Sequence, residues 1–482
     1  MKGVKNGGAR KRGSTAWGRL TWPLLLAVVL LCVAAVVASG MMPGLLSLPK
    51  PAPSIPSWQQ EPSQLSGSSA LLPLDPKAPV PLPVEVARLL DGNLKPDGSG
   101  NISGVVLDAA TGQVLFDRDA NSNRIPASNM KLLTAVASLK ALGPESRFTT
   151  RVLGSDKPST VVLTGGGDVL LGASGSDRAA VLGHAGLASL AKDTAAALAS
   201  SGVQGPVTVQ VDDSLFTGPA LNPAWSLDDV AAGETAPLYS LAMNSGRYSP
   251  GVETGPRPQD SAMTTAKAFA DQLAAAGVAV SPGAERGKGL PAKVLATAES
   301  ATVSEQVDLM LQTSDNFLAE ALGRMTAAAS GKESTYDGAT SAVRQRLGEL
   351  GIATDSMLLA DVSGLALENQ VSARQFADVV RAITSGPDPA LRAALDGFPI
   401  AGLSGTLNDR YVDPSTAGGA GLVRAKTGTL NTVIALSGYV VDADGRLLVF
   451  SFIGNGLDPG AAGNKVAMDR SASVLASCGC RG

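Results

Sequence analysis

Histidine is nearly absent: of 482 residues only His184 carries an imidazole. A Ser-His-Asp hydrolase would have to be built on that one residue, which stands in "LGHAGLASL", an ordinary helix-start setting. Cysteine is almost as sparse, and one histidine with three cysteines offers little to a metal ion. Aromatic residues are 4 % of the chain against 44 % hydrophobic residues overall, so its cores must rest on alanine, valine and leucine. Positive charge is short where a polyanion would need it. Residues 1–40 hold six basic residues (Lys2, Lys5, Arg10, Lys11, Arg12, Arg19) and no acid, which leaves 33 positive against 42 negative side chains, or −9, in the rest. That charge balance excludes a nucleic-acid-binding protein.

What is present begins with an apolar run. "LTWPLLLAVVLLCVAAVVASG" (20–40) holds 16 residues from Pro23 to Ala38 without a charge or strongly polar group. It is long for a signal-peptide core and short of the about 20 residues of a membrane span. Trp17 and Trp22 flank it as interfacial anchors, and its basic side stays cytoplasmic. Ala38-Ser39-Gly40 offers a small-residue cleavage site, so a membrane anchor over 20–39 and a removed signal both stand open. Cys32 follows Leu31 rather than a small residue, a poor lipid-attachment site. Everything after residue 40 is expected outside, where Cys478 and Cys480 can oxidise. Residues 41–83 hold eleven of the 30 prolines, with Ser and Gln between them. That composition predicts an extended, semi-rigid linker.

Folding signals begin near Val84. "GVVLDAATGQVLFDRD" (104–119) reads as a hairpin. The stretch 154–287 contains alternating strands such as "STVVLT" and "GPVTVQV" and reads as an inserted, largely β domain between 84–153 and 288–482. Its "GGG" (165–167) has no Lys-Ser/Thr after it, so it reads as a turn rather than a phosphate loop. Helical periodicity returns over 301–328, interrupted at Ser314-Asp315-Asn316. The chain closes with strands over 421–455, joined by the Asp442–Gly445 turn, and a helix over 461–477.

Three motifs carry chemistry. Ser128-Asn129-Met130-Lys131 opens an apolar helix that stops at Gly143-Pro144. A serine there serves as a cap, but a lysine one turn in is costly to bury without a partner. The pair also reads as chemistry, because a hydroxyl nucleophile needs a base. Lysine can act as one when desolvation and neighbouring cations disfavour its charged form. Ser314-Asp315-Asn316 follows at a helix–helix junction, and Lys426-Thr427-Gly428 lies on a strand of the C-terminal sheet. Ser-x-x-Lys and Ser-x-Asn are each common alone, and Lys-Thr-Gly is rarer. The ordered triple, in these settings, is what acyl-serine transferases of the penicillin-binding and β-lactamase group require.

On these residues the chain resembles the low-molecular-weight class C penicillin-binding proteins, the D-alanyl-D-alanine carboxypeptidase/endopeptidase family. The 186 residues from Ser128 to Ser314, against 112 from Ser314 to Lys426, match that family's insertion between its first two motifs. "LADVSGLALENQVS" (359–372) resembles its D-G-S-G-L…N segment through Asp361, Ser363, Gly364, Leu365 and Asn369, with Val362 in place of the usual glycine. "PIAGLSGTLNDR" (399–410) resembles its G-T-L…R segment through Gly405, Thr406, Leu407 and Arg410. The resemblance spans residues 86–480 and is weakest inside the insertion. It implies an α+β, penicillin-binding/β-lactamase-like transpeptidase fold, an antiparallel sheet flanked by helices, carrying the inserted domain.

The resemblance further implies that Ser128 is the nucleophile, Lys131 its base, Ser314 a proton relay and Asn316 a holder of Lys131 and substrate. It gives Lys426 and Thr427 the substrate carboxylate, has Gly428 leave room for the extended peptide, and places an oxyanion hole at the N–H groups of Ser128 and Thr429. No metal and no cofactor enter. Peptidoglycan stem peptides are the expected substrates, β-lactams covalent inhibitors, and the cell envelope the expected location. Two alternatives stand beside it. A β-lactamase or esterase on the same scaffold would have a shorter first gap and a deacylation base, for which the sequence offers no residue. A catalytically silent wall-binding or penicillin-sensing module would have no chemical use for Lys131 or Lys426.

Overall fold

The computed structural model describes residues 74–157, 159–252, 254–289 and 293–481; the apolar segment 20–40 and most of the Pro-rich stretch lie outside the described residues. No helix among the described residues is long and apolar enough to cross a membrane. Pro83 opens α1 (Pro83–Asn93), where its missing N–H costs nothing. β1 (Ser99–Asp108) and β2 (Val114–Arg118) form the expected hairpin, and β3 (Asn123–Arg124) leads into α2 (Met130–Leu142). β4 (Arg147–Gly154), β5 (Thr160–Thr164), α3 (Leu187–Ser200), β6 (Val207–Asp212) and the short α4 (Leu227–Ala232) follow. α5 (Ser261–Ala275), β7 (Val280–Arg286) and β8 (Val294–Thr302) return the chain to α6 (Val303–Thr313). Then come α7 (Asn316–Ala329), α8 (Tyr336–Glu349), β9 (Val371–Ser372) and α9 (Ala373–Ser385). β10 (Arg424–Leu430), β11 (Val433–Val441), β12 (Leu447–Asp458) and α10 (Ala461–Ala476) close it.

The first sheet runs β10-β11-β12-β1-β2 and is antiparallel throughout, with β10 on its edge. Successive residues of a strand face opposite sides, and here both sides are covered. Val105, Leu107, Val449 and Ile453 pack into the core shared with α2 and α9. Val106, Leu448, Phe450 and Phe452 pack the other way, on Leu90 of α1 and Met468 and Leu475 of α10. Between the sheet and α7, α2 is buried at every position from Met130 to Leu139. Each buried leucine there contributes about 1.5–3 kcal/mol. The same enclosure strips water from Lys131.

The second sheet runs β7-β6-β5-β4-β8. β4 is antiparallel to β5 and β8, while β5, β6 and β7 are parallel. Parallel neighbours need a crossover, and α3 and α5 supply it. Leu190, Leu198, Phe269 and Leu273 on these helices pack against Val161, Leu163, Val209 and Val211. This corrects the expectation of a largely β insertion: its helices of 14 and 15 residues outweigh strands of five, six and seven. The sheet also takes in β4 and β8, beyond 154–287 on both sides.

The end of the Pro-rich stretch differs from a free spacer. Leu82 N–H donates to the Cys480 carbonyl at 3.0 Å, and Ala78 is buried. Arg446, paired with Asp108 at 2.5 Å, also donates to the carbonyls of Pro76 and Ala78 at 3.1 and 3.2 Å. Cys478 and Cys480 form a disulfide beside this contact.

Candidate active site

Ser128 lies in a short 3-10 turn (Ala127–Asn129), and α2 proper starts at Met130. Ala127 holds a left-handed φ of 47°, an uncommon conformation for a residue with a side chain. The turn is fastened from below. Asn129, fully buried, donates Nδ2–H to Ser437 Oγ on β11 at 2.6 Å. Asn455 of β12 pairs with both backbone groups of Ile125, accepting at 2.8 Å and donating at 3.0 Å. Gly364 packs against it so closely that a Cβ would sit 1.9 Å from the Ala127 carbonyl oxygen, and its φ is 88°.

Lys131, one turn on, reaches towards Ser128 with no exposed surface. Its Nζ lies 3.0 Å from Ser128 Oγ, 2.6 Å from Asn316 Oδ1 and 2.7 Å from the Ser363 carbonyl oxygen. Burial pulls its pKa down to about 8, although Asp361, Asp315, Glu320 and Glu234 favour the charged form.

The Ser314-Asp315-Asn316 triplet is a helix junction in which each residue has one task. Ser314 ends α6 in a left-handed conformation (φ 57°). Asp315 caps α7 by accepting Leu318 N–H at 3.0 Å, a contact worth about 1 kcal/mol. Asn316 starts α7 with Oδ1 on Lys131 and Nδ2–H donated to the Glu234 carbonyl at 3.0 Å.

The Ser363 carbonyl is fixed by a polar scaffold. Asp361 accepts N–H groups of Gly364, Leu365 and Ala366 at 2.8, 3.0 and 2.7 Å, and Trp225 Nε1–H at 2.9 Å. Asn369 donates to Asp361 at 2.7 Å and accepts Ala360 N–H at 2.8 Å. From α7, buried Glu320 accepts the N–H groups of Val362 and Ser363 at 3.0 and 2.8 Å. Burial, with Asp361 nearby, raises its pKa to about 8. Val362, where the resembled segment has glycine, is core, and Gly323 of α7 makes room for it: a Cβ there would meet Val362 Cγ2 at 2.6 Å.

On β10, Lys426 is fully buried and lines neither neighbouring cavity. It donates to Ser314 Oγ at 3.0 Å and to the Thr427 carbonyl at 2.8 Å. Burial, then the nearby charges of Lys131 and Arg410, push its pKa well below the usual lysine range. Thr427 reaches the cavity, its Oγ1 2.7 Å from Thr406 Oγ1. Gly428 also has a packing role that its motif does not reveal. A Cβ on it would lie 2.9 Å from the Pro126 carbonyl and 3.2 Å from Asn129 N, so its absence lets β10 close on the nucleophile turn. Thr429 and Ser128 line one cavity of about 620 Å³ with Ser314, Asn316, Thr406 and Thr427. His184 lies elsewhere, bonded to Arg147 at 2.9 Å.

A family model described as "D-Ala-D-Ala carboxypeptidase 3 (S13) family" matches residues 86–258 and 253–475. The chain belongs to that family. Its enzyme class is accordingly a serine-type D-Ala-D-Ala carboxypeptidase. The carboxypeptidase DacB of Mycolicibacterium smegmatis is 35 % identical over 473 residues, 97 % of this chain and 99 % of that one. The D-alanyl-D-alanine carboxypeptidase of Actinomadura is 30 % identical, over 74 % of this chain and 78 % of that one. Penicillin-binding protein 4 of Haemophilus influenzae shares the fold, with a TM-score of 0.66 at 20 % identity over 82 % of this chain and 99 % of that one.

Of the eight residues singled out from the sequence, Ser128, Ser314, Asn316, Thr427 and Thr429 line one pocket, while Lys131 and Lys426 are buried behind Ser128 and Ser314 and Gly428 packs against the nucleophile turn. Glu234, Glu320, Trp225, Asn129 and Asn455 were missed. A buried glutamate at the right helical phase was the one available signal for Glu320; the others act across long sequence separations.

Proposed function

We propose that the protein hydrolyses D-Ala-D-Ala termini of peptidoglycan stem peptides through an acyl-enzyme on Ser128. The observation that carries this is the buried Lys131 amine 3.0 Å from Ser128 Oγ, held by two acceptors and poised at about pH 8. Neutral Lys131 takes the hydroxyl proton as Oγ attacks the scissile carbonyl. The backbone N–H groups of Ser128 and Thr429 receive the oxyanion, worth roughly 3 kcal/mol per donor. Ser314 passes a proton to the departing amine, and Lys426 acts on it through the 3.0 Å contact as a positioning residue. Thr427, with Thr406 behind it, takes the terminal carboxylate. Water then releases the acyl chain and restores the serine. A β-lactam would acylate Ser128 the same way.

Basic residues ahead of the apolar segment 20–40 support a catalytic body on the outer side of a membrane, where peptidoglycan stem peptides would be met. Residues 41–73 serve as the spacer. Mass spectrometry of the protein with a pentapeptide ending in D-Ala-D-Ala tests the reaction: loss of one alanine is expected, and none with Ser128→Ala. Penicillin should label the peptide containing Ser128. Undiminished labelling of a folded Ser128→Ala protein would falsify the assignment.

A further inference from the structure

β8 is an edge of the second sheet, with β4 as its neighbour. A cavity of about 630 Å³ lies against it and shares no lining residue with the cavity of Ser128. Three consecutive residues of β8, Thr297, Ala298 and Glu299, line it. Successive side chains of a strand point to opposite faces, so a cavity that touches all three runs along the strand's edge. An edge strand carries backbone N–H and C=O groups outside the ladder, a template for an extended peptide. The volume suits a short one.

The lining carries both signs of charge. Arg178 and His184 belong to the loop that leads into α3, and Arg147 touches His184. Arg147 donates to His184 Nε2 at 2.9 Å and to the Ser300 carbonyl at 2.7 Å. His184 Nδ1 lies 3.1 Å from the Ala180 carbonyl. A carbonyl only accepts, so Nδ1 holds the ring proton and Nε2 receives the Arg147 bond. Both partners of this arginine are thus neutral groups. α3 starts beside them without a side-chain cap and adds the positive end of its dipole. The opposite sign comes from Asp193, one turn along α3 from Ser189, and from Glu299.

We infer that this groove is a second peptide-binding site, holding one stem peptide of a peptidoglycan strand by its carboxylate and its free amino group while Ser128 acts on another. The carboxylate goes to Arg147 and Arg178, the amine to Asp193 and Glu299, and the extended backbone lies along β8. No bond is made or broken there. Its distance from the chemistry follows from one helix. Arg147 faces Thr302 across the ladder, and Thr302 caps α6, which ends at Ser314. The 11 residues of α6 set the two sites ~16 Å apart. A strand that engages both binds more tightly than either stem peptide alone. That preference for polymer rests on the acyl-enzyme reading of Ser128; binding in the groove does not.

The test begins with the full-length protein acylated by penicillin, the adduct confirmed by mass, so that the catalytic cavity is blocked. Calorimetric titration with a stem tetrapeptide bearing a free carboxylate and a free side-chain amine should show saturable binding. Amidating the carboxylate should weaken it about fivefold, the scale of an exposed ion pair, and Arg178→Glu should abolish that difference. Acetylating the amine should cost as much, with Asp193→Asn the insensitive variant. In the unblocked protein, Arg178→Glu should lower kcat/KM about fivefold for a glycan fragment bearing two pentapeptides and leave that for one free pentapeptide unchanged. Thr297→Trp, at an exposed position, should reproduce this loss by filling the groove. The inference is overturned if the acylated protein binds no tetrapeptide, or if binding ignores both end groups. It is equally overturned if neither Arg178→Glu nor Thr297→Trp moves the ratio of the two substrates. A protein that takes no penicillin and releases no D-alanine overturns the Ser128 reading instead, and the same end-group titrations on the untreated protein then decide the groove.

Discussion

Lys131 can accept a proton only when neutral, and burial sets its pKa at about 8. Acylation of Ser128 by penicillin should therefore rise about tenfold per pH unit up to about 8 and level off above. Stopped-flow acylation across pH checks this; a profile flat through neutrality points to another base. Glu320 titrates in the same range, so the midpoint belongs to a coupled pair. Glu320→Gln separates the two: if Lys131 is the base, a rising limb persists at a lower midpoint, because a negative charge that favoured the ammonium is gone. Glu234→Gln should move the midpoint the same way by a smaller amount, since Glu234 is exposed and screened. Lys131→Ala should keep slow binding and lose acylation by at least about a hundredfold.

Elements bring these groups together, and they were legible to different depths. The hairpins and α10 follow from period-two runs, turn residues and apolar spacing, and all lie where the sequence puts them. The helix junction at Ser314 was legible because a serine–aspartate pair between two apolar patterns is a stop followed by a cap. The helices of the insertion were not. Their sequences, "LASLAKDTAAALAS" and "SAMTTAKAFADQLAA", are rich in alanine, which is a strong helix former but marks no apolar face. The alternating strands between them carry the stronger local pattern. The scaffold around Asp361 was matched only through resemblance, because its Trp225 contact spans 136 residues and no local pattern encodes it. Gly428 shows the limit most sharply: the motif was visible, but the reason for its glycine lies in the turn at Pro126–Asn129. Gly428→Ala should push β10 away from Ser128. We expect a stability loss of about 1–3 kcal/mol by denaturant titration and about a hundredfold slower acylation, since a shift of ~1 Å at the nucleophile is enough for that. Normal acylation in a destabilised protein would reduce Gly428 to a packing role.

At the scale of the molecule, the catalytic body reaches further towards the N-terminus than its first helix. The last residues of the Pro-rich stretch are bonded to it through Cys480 and Arg446, so the spacer we propose ends near residue 73 rather than at 83. Proline favours this arrangement, since an extended segment with few free N–H groups lies on a surface at little entropic cost. Limited proteolysis of the full-length protein should accordingly cut within 41–73 and leave a body that still carries Ala78. Two truncations sharpen the point. A chain starting at residue 74 should match the full-length protein in penicillin acylation and melting temperature. A chain starting at residue 84 should lose the Leu82, Pro76 and Ala78 contacts, each worth about 1 kcal/mol, and melt a few degrees lower. Its acylation rate should not change, because none of these residues touches the pocket around Ser128. Equal melting temperatures for the two truncations would mean that the 74–83 contacts contribute nothing to stability, and the spacer would then extend to α1.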